Sequence, residues 1–238
     1  MTKSIYLAKT QVLPDGFSYL HEFNANIHVN IRYATSYNFY GDIVPGYEAN
    51  VAIGTQRLIE SLTNAQNKLE VLGFDLVVYE VYRPMQAGLA FYEWAQSSEE
   101  PAHSMQESYF PLFKKKTLFE QGYIARKSAH TRGSAVDLTL IQKGQKPYSP
   151  QVCQRVLKDG RMIVYLEDGT CDMGTHFDFL DEASHCNSSL ISTSALHNRG
   201  ILDQVMISCG FRGYSKEWWH YQLVDEVFPD TYFDFPVR

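Results

Sequence analysis

The chain has 238 residues, of which 45% are hydrophobic, 14% aromatic and 20% charged, and a formal net charge of −6. That length supports a sizeable core and a single domain spanning 1–238, while the acidic balance argues against sequence-independent nucleic-acid binding, which rests on neutralising phosphates. Four cysteines without a Cys-x-x-Cys spacing argue against a disulfide framework or a cysteine zinc cluster, and no apolar signal segment or membrane-length run is present, so a cytoplasmic location is expected.

In chain order, residues 1–48 are rich in aromatic and turn-forming residues. Within them, Ile27 to Tyr33 alternates apolar and polar side chains and predicts a strand. Tyr33 to Gly41 reads as a loop. Glu48 to Leu72 predicts a helix, because Leu58, Leu62, Ala65 and Leu69 fall on one stripe, and Gly73 is placed to cap it. Phe74 to Tyr82 is β-rich and predicts a central strand. Arg83-Pro84 ends that strand, and proline suits the first turn of a helix over Met85–Gln96. Arg83 therefore stands at a strand end, either as a salt-bridged structural residue or facing a site. Residues 97–122 carry mixed helix and loop signals, and Lys114-Lys115-Lys116 reads as a solvated face.

Ala135 to Ile141 predicts the next strand. Asp137 lies inside its apolar run, where a carboxylate is costly unless it is paired or bound to metal. Residues 142–171 predict a surface hairpin, with turns at Lys158-Asp159-Gly160 and Glu167-Asp168-Gly169 around Met162–Leu166. Asp172 to Glu182 is acidic and aromatic and reads as a loop able to line a cleft. A helix is expected over Ser194–Cys209, then a strand over Phe211–Gln222. The aromatic tail Phe228–Pro236 is expected to pack on the body.

The chemistry concentrates in two stretches, Ser128–Asp137 and Glu217–Tyr221. His130, Asp137 and His220 make a three-ligand set that suits Zn²⁺ and leaves the last position for water. Glu217 stands three residues before His220, close enough to serve as general base on that water. Residues three apart on a straight strand point to opposite faces, so Glu217 requires a bend, a bulge or a place at the strand's start. Arg83 could polarise a scissile carbonyl and stabilise its oxyanion. The remaining histidines, His21, His28, His103, His176, His185 and His197, show no ligand pattern and read as surface or core residues.

The pattern Ser-x-His-x-x-Gly-x-Ala-x-Asp at Ser128–Asp137, followed by Glu-x-x-His at Glu217–His220, resembles the zinc DD-peptidases that share a fold with the Hedgehog signalling domain. The resemblance to the VanX-type D-alanyl-D-alanine dipeptidases is more extensive. It includes Ile31-Arg32-Tyr33-Ala34-Thr35, Tyr82-Arg83-Pro84, Ser134–Leu140, Phe177–Glu182 with Ser184-His185, Glu217–Tyr221 and Tyr232–Pro236, in order. It implies an α+β domain with a mainly antiparallel central sheet and flanking helices, and a zinc-dependent peptidase acting on a small peptidoglycan-related dipeptide. By the same resemblance His130, Asp137 and His220 would bind one zinc, Glu217 would be the base and Arg83 would stabilise the transition state. Asp178, Ser128 and Tyr33 would lie in the substrate pocket, and a dipeptide's ammonium does call for a carboxylate such as Asp178. Ala129 departs from the second serine usual in such relatives, and the segments 97–123 and 151–171 look longer than a minimal member needs. The rival readings are a D,D-carboxypeptidase acting on longer cell-wall peptides, a zinc-containing binding domain without catalysis, and a purely structural metal site.

Overall fold

The computed structural model describes residues 11–238; the first ten, which bear on the expectation of no signal segment, lie outside the described residues. Strand β1 (Phe17–Tyr19) runs into a short helix α1 (Leu20–Phe23), and then comes β2 (His28–Val29). The strand expected over Ile27–Tyr33 thus stops early. Arg32 and Tyr33 both turn inward, which alternation along a strand forbids, and Arg32–Ala34 winds into a 3₁₀ turn. The buried Arg32 guanidinium pairs there with Asp168.

Strand β3 (Ile53–Thr55) pairs antiparallel with β1, so the helix expected from Glu48 begins only at Gln56. Thr55 sets the boundary: its hydroxyl accepts from Leu58 N and caps α2 (Gln56–Val71). The stripe of Leu58, Leu62, Ala65 and Leu69 is fully buried on that helix. Gly73, at φ +86°, ends it and admits β4 (Phe74–Glu80). Helix α3 (Met85–Gln96) follows Pro84 with the expected bounds. The polar stretch after it contains α4 (His103–Tyr109).

Strand β5 (Ala135–Gln142) pairs with β4 and with the C-terminal strand. Strands β6 (Gln151–Val156) and β7 (Met162–Glu167) form a separate ribbon around a turn with Gly160 at φ +87°. The ribbon is more than a surface elaboration: Leu157 and Ile163 bury with Phe179, Ala183, Ile191 and Ala195 in a small second core. Helix α5 (Thr193–Ser208) is capped by Ser192. The single strand expected over Phe211–Gln222 is instead a hairpin, β8 (Phe211–Tyr214) and β9 (Glu217–Leu223).

The central sheet has the order β2-β4-β5-β9-β8. It is mixed rather than mainly antiparallel in a simple sense, because the edge strand β2 runs parallel to β4 while the other joins are antiparallel. Parallel neighbours need a long crossover, and β3 with α2 provides it. The α+β character holds. The aromatic tail packs back as expected: Phe17 meets Phe228, Phe233 and Phe235, and Tyr82 stacks on Phe235 at 4.1 Å between ring centroids.

Candidate active site

Three neighbouring elements bring the two motifs together. His130 sits on a 3₁₀ turn over His130–Arg132 that leads into β5, and Gly133 closes that turn in the left-handed region at φ 66°. Asp137 lies on β5 directly opposite His220 on β9, and opposite Glu80 at the end of β4. Antiparallel register, not sequence proximity, therefore pairs the carboxylate with the second imidazole.

The three donor atoms make a small triangle. His130 Nε2 lies 3.1 Å from His220 Nδ1, His220 Nδ1 lies 3.0 Å from Asp137 Oδ1, and His130 Nε2 lies 3.3 Å from the same oxygen. Ligand bonds of about 2.0–2.1 Å separate tetrahedral donors by about 3.4 Å, so these atoms fit a single ion. The His130 Nδ1 nitrogen is 2.7 Å from the Val81 carbonyl, a bond that fixes the ring and turns Nε2 to the cluster. Burial holds the His220 imidazole below its usual pKa, and a neutral ring is the form that binds metal. Although burial opposes it, His130 and His220 hold the Asp137 carboxyl well below the usual carboxylate range.

Glu217 opens β9. Tyr214 pairs with Glu217 while Gly213 pairs with Tyr221, so the ladder carries a large bulge between them. That bulge is the irregularity required for Glu217 and His220 to share a side, and both line one cleft of about 360 Å³. Glu217 is buried. Burial first, then the Asp137 and Asp178 carboxylates, push its pKa well up.

Arg83, Asp178, Ser128 and Tyr33 line the same cleft. Asp178 is buried in the loop after β7 and adopts φ 62°, the one positive-φ non-glycine among the described residues. Such backbone strain is kept only where the surroundings enforce it. Three residues hold the loop here: Tyr33 donates to Asp178 Oδ2 at 2.9 Å, Arg161 bonds Asp181, and the buried Arg199 donates to the carbonyls of Met173, Ala183 and His185. Burial and then Asp137 push Asp178 well above the carboxylate range. The Ser128 hydroxyl is buried with no partner among the described residues.

Both expectations for Arg83 hold at once. It faces the cleft and is also salt-bridged, to Glu80. The sequence reading passes over Glu80, although the signal that marks Asp137, a carboxylate inside an apolar strand, marks Glu80 equally. It also passes over Tyr123 and Tyr214, which line the entrance; Tyr214 donates to the Gly122 carbonyl at 2.9 Å. Both are half-buried, and no spacing in the sequence ties either to the two motifs. Of the unassigned histidines, His176 is a buried residue outside the cleft, and His185 meets Tyr123 Oη at 3.1 Å. His103 is exposed and pairs with Glu107.

A His/Asp/His cluster able to hold a metal, buried but for a half-buried His220 and with a carboxylate and a guanidinium beside it, defines a metallopeptidase-type site. Comparison with known proteins narrows the class. The family model described as D-ala-D-ala dipeptidase matches residues 14–148 and 161–238. The chain belongs to that peptidase family. Relatives named D-alanyl-D-alanine dipeptidase are 39% identical in Enterococcus faecium and 37% in Enterococcus faecalis, over 94% of this chain and 98% and 100% of theirs. One from Streptomyces coelicolor is 35% identical over 93% of this chain and 98% of its own. The unmatched residues 149–160 take in β6 and its turn. No helix among the described residues is long and apolar enough to cross a membrane.

Proposed function

We propose that this protein hydrolyses the D-alanyl-D-alanine dipeptide with one zinc held by His130, Asp137 and His220, residues 1–238 acting as one catalytic unit. The triangle of donor atoms within 3.3 Å, in a cleft shared with Glu217, Arg83 and Asp178, carries the reading. Zinc would supply a Lewis acid and make water more acidic near neutral pH. Glu217 would take the proton of the attacking water and return it to the leaving amine, and its raised pKa suits both directions of transfer. Arg83 would receive the negative charge that develops on the scissile oxygen.

Asp178 would bind the substrate's ammonium, with Tyr33 donating to the same carboxylate. Among the described residues Tyr33 is the side chain that bonds Asp178, so the ammonium would give this buried carboxyl a cationic partner. The unpartnered Ser128 hydroxyl is available to the substrate's polar groups. An acetylated or longer peptide brings no ammonium and would leave Asp178 buried without its partner. Sites of this kind reject a missing partner by ~10⁴-fold or more.

The test compares kcat/KM for D-Ala-D-Ala and acetyl-D-Ala-D-Ala in wild type and Asp178→Asn. The free dipeptide should be cut well and the acetylated one hardly at all. Asp178→Asn should narrow the gap by slowing the free dipeptide. Comparable wild-type rates on both would promote the D,D-carboxypeptidase reading in its place.

A further inference from the structure

Glu80 is fully buried at the end of β4, three residues before Arg83. Two residues, Arg83 and Tyr47, hydrogen-bond its carboxylate. Arg83 Nε donates to Oε1 at 2.8 Å and Arg83 Nη2 donates to Oε2 at 2.6 Å. Tyr47 donates its hydroxyl proton to Oε1. His130 Nδ1 lies 3.7 Å from Oε2, although that nitrogen's bond goes to the Val81 carbonyl.

A guanidinium is planar and has five N–H donors in a fixed fork. The Nε/Nη2 edge is consumed by Glu80, and Nη1 has no hydrogen-bond partner among the described residues. The plane is held from its sides as well: Arg83 Cζ lies 5.6 Å from the Tyr33 ring centroid and 5.3 Å from that of Phe91. The one edge left without a partner is the Nη1 edge of a residue that lines the cleft. An arginine side chain has several rotatable bonds, and a bidentate carboxylate removes most of that freedom before substrate arrives.

We infer that Glu80 is a positioning residue: its two-point grip on Nε and Nη2 aims Arg83 Nη1 into the cleft for the developing oxyanion. The inference rests on the reading of Arg83 given above. Glu80 touches no substrate and acts only through Arg83. Its grip matters most when charge develops on the oxygen, so its loss appears in kcat more than in KM.

The experiment is a double-mutant cycle on the zinc-loaded enzyme with D-Ala-D-Ala, using Glu80→Gln, Arg83→Met and the pair together. Glu80→Gln has nearly the same shape but offers Arg83 only one acceptor oxygen. It should lower kcat by about 10–100-fold, the usual loss on removing a supporting partner of a site residue, and leave KM within about threefold and zinc content unchanged. In the Arg83→Met background, adding Glu80→Gln should cost less than about threefold in kcat, because residues that act as a unit are not additive. Tyr47→Phe removes the other bond to Glu80 while leaving both Glu80–Arg83 bonds in place, and should lower kcat less than Glu80→Gln does. If Glu80→Gln fails to fold, Glu80→Asp keeps the charge on a shorter arm and should still lower kcat by about tenfold at little cost in KM. A normal kcat in the folded Glu80 variant beside an impaired Arg83→Met overturns the inference alone, as do losses that multiply in the pair. A normal kcat in Arg83→Met overturns the reading of Arg83, and the inference with it.

Discussion

In the proposed mechanism metal binding and proton transfer would fall to different side chains, and two substitutions separate them. His220 is one corner of the donor triangle, 3.0 Å from Asp137 Oδ1. His220→Ala should lose most of its zinc, read by elemental analysis of dialysed protein; full occupancy in the variant would remove His220 from the ligand set. Glu217 belongs to no edge of that triangle. Glu217→Ala should keep about one zinc per chain and lose roughly 10²-fold or more in kcat, and near-normal turnover would sink its role as base. Both residues were marked by the Glu-x-x-His spacing. What spacing alone left open was how two residues three apart on a strand reach one side, and the bulge opposite Gly213-Tyr214 resolves it.

Among the elements, the 3₁₀ turn that carries His130 depends most on one position. Gly133 closes it at φ 66°, and a Cβ there would meet Phe17 Cε1 at 2.3 Å and Cζ at 2.7 Å. That ring cannot swing away, because Phe228, Phe233, Phe235 and Tyr82 surround it. The Gly133 carbonyl also accepts from Thr55 N and its hydroxyl, tying the turn to the cap of α2. Gly133→Ala should therefore destabilise by about 2–3 kcal/mol, from left-handed strain and overpacking together, and weaken zinc retention because His130 moves with the turn. Denaturant unfolding with a metal-release assay checks both, and a variant as stable as wild type would show that the turn relaxes freely.

For the molecule as a whole, the C-terminal tail acts as a strap across the site's supports. Phe233 ties the first motif to the start of α3: Phe233 N donates to the Thr131 carbonyl and Met85 N donates to the Phe233 carbonyl. Phe235 N donates to Tyr82 Oη, and Val237 forms a parallel bridge with Tyr47. Phe235→Ala removes the ring stacked on Tyr82 and should cost about 3 kcal/mol by thermal or denaturant unfolding. A change under about 0.5 kcal/mol would mean that the tail merely lies on the body. Tyr82 immediately precedes Arg83, so the variant's kcat should fall before its fold is lost.

Periodicity and punctuation determined much of this protein. Leu58, Leu62, Ala65 and Leu69 specified a buried helix face, Pro84 the start of α3, and Gly160 the ribbon turn, because each acts through neighbours a few residues away. The two motifs also carry the three residues that cluster closely enough to hold a metal, His130, Asp137 and His220. Tertiary structure decided the rest. Arg32 and Tyr33 ended β2 early because two successive side chains had inward partners, Asp168 and Asp178, more than a hundred residues away. Thr55 displaced the helix start because Ile53–Thr55 found a strand partner in β1. Sheet order placed Asp137 between Glu80 and His220, which come from strands before and after it in the chain. Local propensity sees only near neighbours, whereas strand pairing and buried charge are settled by groups that sequence distance keeps apart.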